Sequence, residues 1–116
     1  MALQPIKRSR RDRAFTKELK TLQLNTCQRC LTHYPANSKG LHVSHFYSRR
    51  RACTRYFLDN TDLLCFGCHM LWQKELRADY IRFKKRQLGK ERYDRLRAMA
   101  LAGHKDLPPK VKYVTM

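Results

Sequence analysis

Apolar residues near the start of the chain recur at the spacing of an α-helix. Between Asp12 and Leu24, three large apolar side chains follow one another at intervals of four and three residues, namely Phe15, Leu19 and Leu22. Side chains spaced in this way lie on one face of a helix. The pattern therefore predicts an amphipathic helix from Asp12 to Leu24 that packs on the rest of the domain through one face.

The pattern changes to a period of two in the middle of the chain. From Gly40 to Phe46, the apolar residues Leu41 and Val43 alternate with His42 and Ser44. This alternation is typical of a β-strand. Residues 47–57 contain four arginines without a clear period and predict a basic loop, and residues 60–62 predict a turn or a short return strand.

The helical period returns after Cys68. An apolar stripe predicts one helix of about 18 to 20 residues that begins there, and Leu88–Gly89 interrupts it. Lys90–Ala102 then predicts a second helix. The stripe consists of His69, Trp72, Leu76, Tyr80 and Phe83. The charged residues that fall outside the stripe are Lys74, Arg77, Arg82, Lys84 and Lys85.

The chain is long enough for one domain and is strongly basic. Its 116 residues include 26 lysines and arginines against 9 acidic residues, which gives a formal charge of +17. Such an excess is self-repelling in a small domain and predicts a polyanionic partner. DNA fits this expectation, but a ribosomal or chromatin role explains the charge equally well.

Charge and hydrophobicity divide the chain into three expected segments. Residues 1–13 predict a basic arm, which either contacts phosphates or is a solvated tail, residues 14–102 predict one folded domain, and residues 103–116 predict a C-terminal tail. No signal-peptide core and no apolar run of the ~20 residues that span a bilayer occurs, so we expect a cytoplasmic protein without a membrane partner. The residues that we expect to contact DNA are Lys7, Arg8, Arg10, Arg11, Arg49, Arg50, Arg51 and Arg55.

The cysteines are spaced for metal binding rather than for disulfides. Four of the five form two Cys-x-x-Cys pairs, Cys27 with Cys30 and Cys65 with Cys68. Each pair presents two sulfurs to one ion, and two pairs complete a tetrahedral zinc shell without an open position. The spacing predicts a structural Zn²⁺ on these four side chains. Cys53 is left over, and we interpret it as a free or partly buried thiol.

Three polar residues stand in register with the cysteine pairs. His45 lies at or just past the end of the predicted strand, Asn60 precedes the second pair, and His69 directly follows it. A neutral histidine as base, one protein-bound metal ion and a basic surface suffice to hydrolyse a phosphodiester. The remaining histidines are interpreted as surface or structural residues, and they are His33, His42 and His104.

These motifs resemble those of HNH endonucleases, the His-Me finger or ββα-metal superfamily. Residues 60–69 (Asn-Thr-Asp-Leu-Leu-Cys-Phe-Gly-Cys-His) resemble the family's Asn-x-x-x-Leu-Cys-x-x-Cys-His block. Residues 43–46 resemble its first-histidine strand, and the first cysteine pair is similar to its accessory zinc knuckle. A narrower resemblance, to the NinG/Rap recombination nucleases of phages, lies in residues 44–49, 55–60 and 88–92.

The resemblance implies a fold and a set of roles. The expected fold is α+β, a small zinc-stabilised ββα-metal core with flanking N- and C-terminal helices. His45 would be the general base, Asn60 would orient that ring or hold its loop, and His69 would bind a catalytic Mg²⁺ or Mn²⁺. Many family members carry Asp or His directly before the base, where this chain has serine. The candidates for the other metal ligands are therefore Asp62, Ser44 and His42.

The implied function is that of a divalent-metal-dependent DNA endonuclease. The NinG/Rap resemblance adds an expected preference for branched or recombination-intermediate DNA, similar to that of a Holliday-junction resolvase, and a homodimer would suit a substrate with two strands to cut. Two alternatives stay open. One is a zinc-containing nucleic-acid-binding protein without catalytic activity, which would not need His45 and His69 in register. The other is a ribosome-associated zinc protein, which leaves the His-Asn-His set unexplained.

Overall fold

The computed structural model describes residues 9–102, and its first element is the predicted amphipathic helix. Helix α1 spans Arg10–Leu22. The Ser9 hydroxyl accepts a hydrogen bond from the Asp12 backbone N–H at 3.1 Å, and the Asp12 carboxylate accepts one from the Ser9 N–H at 2.8 Å. This reciprocal pair caps the helix start. Leu19 is buried, so one face packs on the domain. The predicted helix is confirmed, with both ends shifted toward the N-terminus.

Two antiparallel strands form the only sheet of the described residues. Strand β1 spans Leu41–His45 and strand β2 spans Thr61–Cys65, which confirms the predicted strand and return strand. The register pairs Ser44 with Asp62 and His45 with Thr61. Because successive side chains point to opposite faces of a strand, Ser44 and Asp62 share one face of the hairpin, and His45 lies on the other.

The connection between the strands is more regular than predicted. Helix α2 spans Ala52–Arg55, and a 3₁₀ turn spans Leu58–Asn60. The expectation of an irregular basic loop over residues 47–57 is therefore wrong for residues 52–55. A four-residue helix has too few positions to produce a periodic pattern, and its buried residues are Cys53 and Thr54, which are not large apolar side chains.

The helical region after the second cysteine pair is divided at Leu76. Helix α3 spans Phe66–Met70 and continues into a π-helical turn over Leu71–Glu75. Leu76 leaves the helical conformation, with φ −116° and ψ 48°, and its N–H donates to the Leu71 carbonyl at 2.7 Å. The prediction of one continuous helix is wrong at this point. The wider turn also removes Leu76 from the apolar stripe, since 38% of its surface is exposed.

Helix α4 spans Arg77–Ala102 and is interrupted at Gly89. Gly89 has φ 76° and ψ 169°, a conformation that side chains rarely allow, which confirms the predicted break. The helix covers the centre of the molecule, where Tyr80 stacks on Trp72 with ring centroids 4.4 Å apart and meets Phe46 edge to face at 5.0 Å. The aromatic core thus joins α4 to α3 and to the end of β1.

The described residues form a small α+β fold with a two-stranded sheet and four helices. None of the helices in residues 9–102 is long and apolar enough to cross a bilayer. Helix α1 takes in the last residues of the expected basic arm, while residues 1–8 and the expected tail, 103–116, lie outside the described residues. The proposed segment boundaries stay predictions.

Candidate functional site

The four cysteines of the two Cys-x-x-Cys pairs converge on one point. Their sulfur atoms all lie within 4.8 Å of one another, and the sulfurs of Cys30 and Cys65 are 3.9 Å apart. A tetrahedral zinc site with Zn–S bonds of about 2.3 Å places its sulfurs about 3.8 Å apart. The four cysteines could therefore hold a metal ion such as zinc. Within residues 9–102 no other group of three or more His, Cys, Asp or Glu side chains is placed in this way.

Backbone hydrogen bonds fold the first cysteine pair into a tight turn. The Leu31 N–H donates to the Cys27 carbonyl at 2.8 Å, and the Cys27 N–H donates to the Thr32 carbonyl at 2.9 Å. Hydrogen bonds from the hydroxyl and backbone of Thr32 lower the pKa of Cys30 to about 6, whereas burial raises the pKa of Cys68 to about 12. Four thiolates at this point thus need a cation to offset the burial of their charge.

A groove with a volume of about 570 Å³ brings three histidines together. His42 and His45 reach it from β1, and His69 reaches it from α3. The ring centroids of His42 and His69 are 5.7 Å apart. We call this feature the histidine groove. Its charged lining residues are Lys20, Lys39, Arg49 and Asp12.

His45 is held as a neutral imidazole. Burial lowers its pKa to about 4, and the positive charges of Arg49 and Arg55 act in the same direction. Its Nε2 atom lies 3.1 Å from the backbone carbonyl oxygen of Arg55. Because a carbonyl oxygen can only accept, Nε2 carries the ring proton and Nδ1 keeps the lone pair. A neutral ring with one available lone pair is the form that a general base requires.

The side chain of Asn60 holds the loop that follows His45 through hydrogen bonds. Its side-chain oxygen accepts from the Tyr47 N–H at 2.8 Å, and its amide donates to the carbonyls of Tyr47 at 3.1 Å and Thr54 at 3.0 Å. The side chain is fully buried. These three bonds join the start of the strand connection to α2, the helix that supplies the carbonyl bonded to His45. Asn60 therefore lies in the scaffold of the groove and not among its lining residues.

His42 and His69 form a pair of facing rings. Burial, followed by the positive charge of His42, lowers the pKa of His69. A lowered pKa favours the neutral ring of His69, and a neutral ring is the form that binds a metal ion. The two rings can therefore serve as ligands from opposite walls of one groove.

Ser44 and Asp62 belong to a separate, buried network. Asp62 pairs with the Lys84 ammonium at 2.9 Å and accepts from the Gln87 amide at 2.7 Å. The Tyr80 hydroxyl lies 3.1 Å from the Ser44 oxygen and 3.1 Å from the Asp62 carboxylate. Neither Ser44 nor Asp62 lines the histidine groove. In this fold the two side chains stabilise the face of the hairpin under α4, and their place among the candidate metal ligands stays a prediction.

The arginines expected to bind DNA differ in what they contact. Arg55 donates to Asp12 through Nε at 3.1 Å and is only 17% exposed, so its charge is compensated inside the protein. Arg51 donates to the Ala100 carbonyl at 2.8 Å. Arg49 lies 3.4 Å from Asp12, and its buried Nε has no hydrogen-bond acceptor among the described residues. Exposed residues in this set are Arg10, Arg11, Arg50 and Arg51, and those outside the described residues are Lys7 and Arg8.

Asp12 joins α1 to the strand connection, which predicts a measurable loss of stability when its charge is removed. Burial alone raises the pKa of Asp12, but hydrogen bonds from Arg55, Ser9 and Tyr56 lower it well below its usual value. A carboxyl whose pKa is lowered by folding adds stability above its unfolded pKa, and that stability is lost as the pH falls. We expect Asp12→Asn to lower the free energy of unfolding by about 2 to 4 kcal/mol at pH 7.

This loss of stability should stay constant from pH 7 to about pH 5, because the carboxyl remains ionised in the folded and the unfolded protein over that range. Urea unfolding of the zinc-loaded proteins between pH 7 and about pH 5, followed by circular dichroism, measures it. Asp94→Asn is the matched control, because Asp94 forms an exposed ion pair with Lys90 and should change stability little. A loss at Asp12 no larger than that at Asp94 would contradict the assigned pairing.

Three residues at the site have no marker in the sequence. Lys20 and Lys39 line the histidine groove from α1 and from the loop before β1. Gln73, in the π-helical turn, donates to the Ser44 hydroxyl at 3.0 Å and to the His45 carbonyl at 3.2 Å, so it joins this turn to the end of β1.

Comparison of the chain with protein-family models, with curated proteins and with solved structures finds no match.

Proposed function

We propose that this protein is a divalent-metal-dependent DNA endonuclease of the HNH type, in which β1, β2 and α3 form a ββα-metal core. The observation that carries the proposal is the histidine groove, where a neutral histidine and a facing pair of imidazoles line one cavity. The order of elements, a β-hairpin followed directly by a helix that begins between the two cysteines, supports the same arrangement.

His45 acts as the general base in this proposal. Its Nδ1 lone pair takes a proton from the attacking water, and the hydrogen bond from Nε2–H to the Arg55 carbonyl holds the ring and stabilises the charge that it gains. Asn60 and Gln73 position this residue, the first through the loop after the strand and the second through the His45 carbonyl. A base with a pKa near 4 stays unprotonated at neutral pH.

His69 and His42 would hold the catalytic ion. When bound, a divalent ion would stabilise negative charge on the scissile phosphate and on the leaving oxygen. The two rings fit such an ion because they line one groove with their centroids 5.7 Å apart. The donor set is nitrogen, and imidazole suits transition metals such as Mn²⁺ better than it suits Mg²⁺.

The basic walls of the groove bind the DNA backbone. Lys20, Lys39 and Arg49 lie on its lining. Cationic side chains in such positions donate hydrogen bonds to phosphate oxygens. The overall charge of +17 adds long-range attraction to DNA. The preference for branched DNA rests on the resemblance to the NinG/Rap nucleases.

The cysteine cluster holds a structural Zn²⁺ in the same proposal. Four thiolates fill a tetrahedral shell and leave no position for water or substrate. The cluster instead joins the turn after α1 to the start of α3, and so fixes His69 relative to β1. Zinc therefore shapes the groove without taking part in the reaction.

The nitrogen ligands predict a metal preference. We expect zinc-loaded protein to nick DNA faster with Mn²⁺ than with Mg²⁺, and we expect His42→Ala to raise the Mn²⁺ concentration that gives half-maximal rate. Initial rates on a supercoiled plasmid, measured across a metal titration, test both. His33→Ala is the control, because His33 is exposed and outside the groove. An unchanged Mn²⁺ requirement in His42→Ala would remove His42 from the ligand set.

One observation favours the second candidate, a zinc-containing nucleic-acid-binding protein without catalytic activity. Ser44 and Asp62 take part in the network under α4, so the carboxylate among the described lining residues of the groove is that of Asp12, which pairs with Arg55.

An assay with several DNA substrates separates the two candidates. Four-way junction, splayed-arm, flap and linear duplex substrates are incubated side by side with each metal. Binding without cleavage of any substrate favours the second, and equal cleavage of duplex and junction contradicts the preference for branched DNA.

A further inference from the structure

Phe66 is the one aromatic side chain in residues 9–102 that is mostly exposed, with 63% of its surface accessible. Single exposed apolar residues are common on protein surfaces, so exposure alone carries no conclusion. The position of Phe66 is what distinguishes it. It is the first residue of α3, directly after Cys65 and one turn before His69.

The Phe66 ring continues the row of rings that begins in the histidine groove. The centroid of His42 is 5.9 Å from that of Phe66 and 5.7 Å from that of His69. Positions three apart on a helix lie on the same side, so both residues of α3 contact one ring of β1. A nucleotide whose phosphate enters the groove at His69 therefore has its neighbour near Phe66.

The surface beside Phe66 has room for a planar group. A Cβ atom placed on the adjacent Gly67 would meet no other atom within 4 Å, so the start of α3 is open to solvent. The two flanking cysteines, Cys65 and Cys68, belong to the proposed zinc site and hold the backbone on both sides. An exposed ring on a fixed backbone loses little conformational entropy when it stacks on a ligand.

We infer that Phe66 stacks on an unpaired base next to the phosphate in the histidine groove, and this rests on the proposed function. In duplex DNA each base is covered by its neighbours, so a ring at the backbone finds no free face. A splayed or unpaired nucleotide exposes its face, and aromatic side chains bind such bases without sequence preference. The substrate class is therefore DNA with unpaired nucleotides at the cut site.

Binding in a non-cleaving background tests the inference. Zinc-loaded His45→Ala protein and its double variants with Phe66→Leu or Phe66→Tyr are titrated into fluorescein-labelled single-stranded, splayed-arm and linear duplex DNA, and anisotropy is recorded. Phe66→Leu keeps an apolar side chain but loses the ring, and Phe66→Tyr keeps the ring. Leu101→Ala is the matched control, because Leu101 is 62% exposed at the far end of α4.

We expect Phe66→Leu to weaken binding to single-stranded and splayed-arm DNA by roughly 5- to 100-fold, with duplex binding unchanged. Phe66→Tyr and Leu101→Ala should leave all three affinities within about twofold of the parent. An equal loss on duplex, or no loss on any substrate, overturns the inference. Cleavage is not measured in this experiment, so failure of the nuclease proposal shows in the plasmid assay and failure of stacking shows here.

Discussion

His45→Ala is expected to lower the rate of DNA nicking by about 10²- to 10⁴-fold, the usual contribution of a general base. The reason is the neutral ring, whose Nε2–H is engaged by the Arg55 carbonyl, whose Nδ1 keeps a lone pair, and which lines the same groove as His69. Among the described residues that line the groove, the one carboxylate is that of Asp12, and it is paired with Arg55. Initial nicking rates at saturating Mn²⁺, for wild type and variant, measure the effect.

Two controls keep this experiment specific. His33→Ala removes an exposed histidine outside the groove and should nick at the wild-type rate. His45→Ala should bind DNA with the wild-type affinity and should still unfold cooperatively, with a loss of about 1 to 2 kcal/mol from the missing hydrogen bond to the Arg55 carbonyl. A variant that nicks as fast as wild type would remove His45 as the base and would not bear on the proposed metal ligands His42 and His69.

Cys68→Ser is expected to remove the bound zinc and the cooperative unfolding transition together. Zinc bound by four thiolates contributes about 10 to 16 kcal/mol to folding in small domains, which exceeds the total stability of most domains of this size. Cys68 is a buried residue of α3 whose sulfur lies beside those of the first cysteine pair, so its loss opens the shell on its buried side. Elemental analysis of the purified protein and thermal unfolding by circular dichroism measure the two effects.

Cys53 supplies the matched control. It is equally buried, but its sulfur donates to the Met99 carbonyl at 3.3 Å and lies outside the cysteine cluster. Cys53→Ala should keep one zinc per chain and a cooperative transition, with a loss of about 1 to 2 kcal/mol. If Cys68→Ser also kept its zinc and its transition, the cluster would not be a structural metal site.

Local signals account for the elements that the sequence predicts well. The apolar spacing of α1, the strand alternation before His45 and the glycine at position 89 each act within a few residues, so their effect can be predicted from the neighbouring chain. The break at Leu76 could not be predicted in this way. It depends on the π-helical turn before it, and nothing in the local periodicity marks such a turn.

Long-range pairing accounts for what was missed at the site. Lys84 falls outside the apolar stripe of its helix, yet it is fully buried because its ammonium meets Asp62 on β2. The same ion pair engages the carboxylate of Asp62, which the sequence offers as a candidate metal ligand. The sequence likewise predicts that Arg55 contacts phosphate, whereas in the fold its guanidinium forms a salt bridge with Asp12 of α1. These ion pairs form between elements that are far apart in the chain, so no local sequence pattern predicts them.

The most direct test of the nuclease proposal is the nicking of supercoiled plasmid by zinc-loaded wild-type protein in the presence of Mn²⁺. We expect conversion to the open-circular form, which stops when a chelator removes the added Mn²⁺ and falls by about 10²-fold or more in His45→Ala. Absence of nicking by the folded, zinc-loaded protein with Mg²⁺, Mn²⁺, Co²⁺ and Ni²⁺, on plasmid and on branched DNA alike, would contradict the proposal.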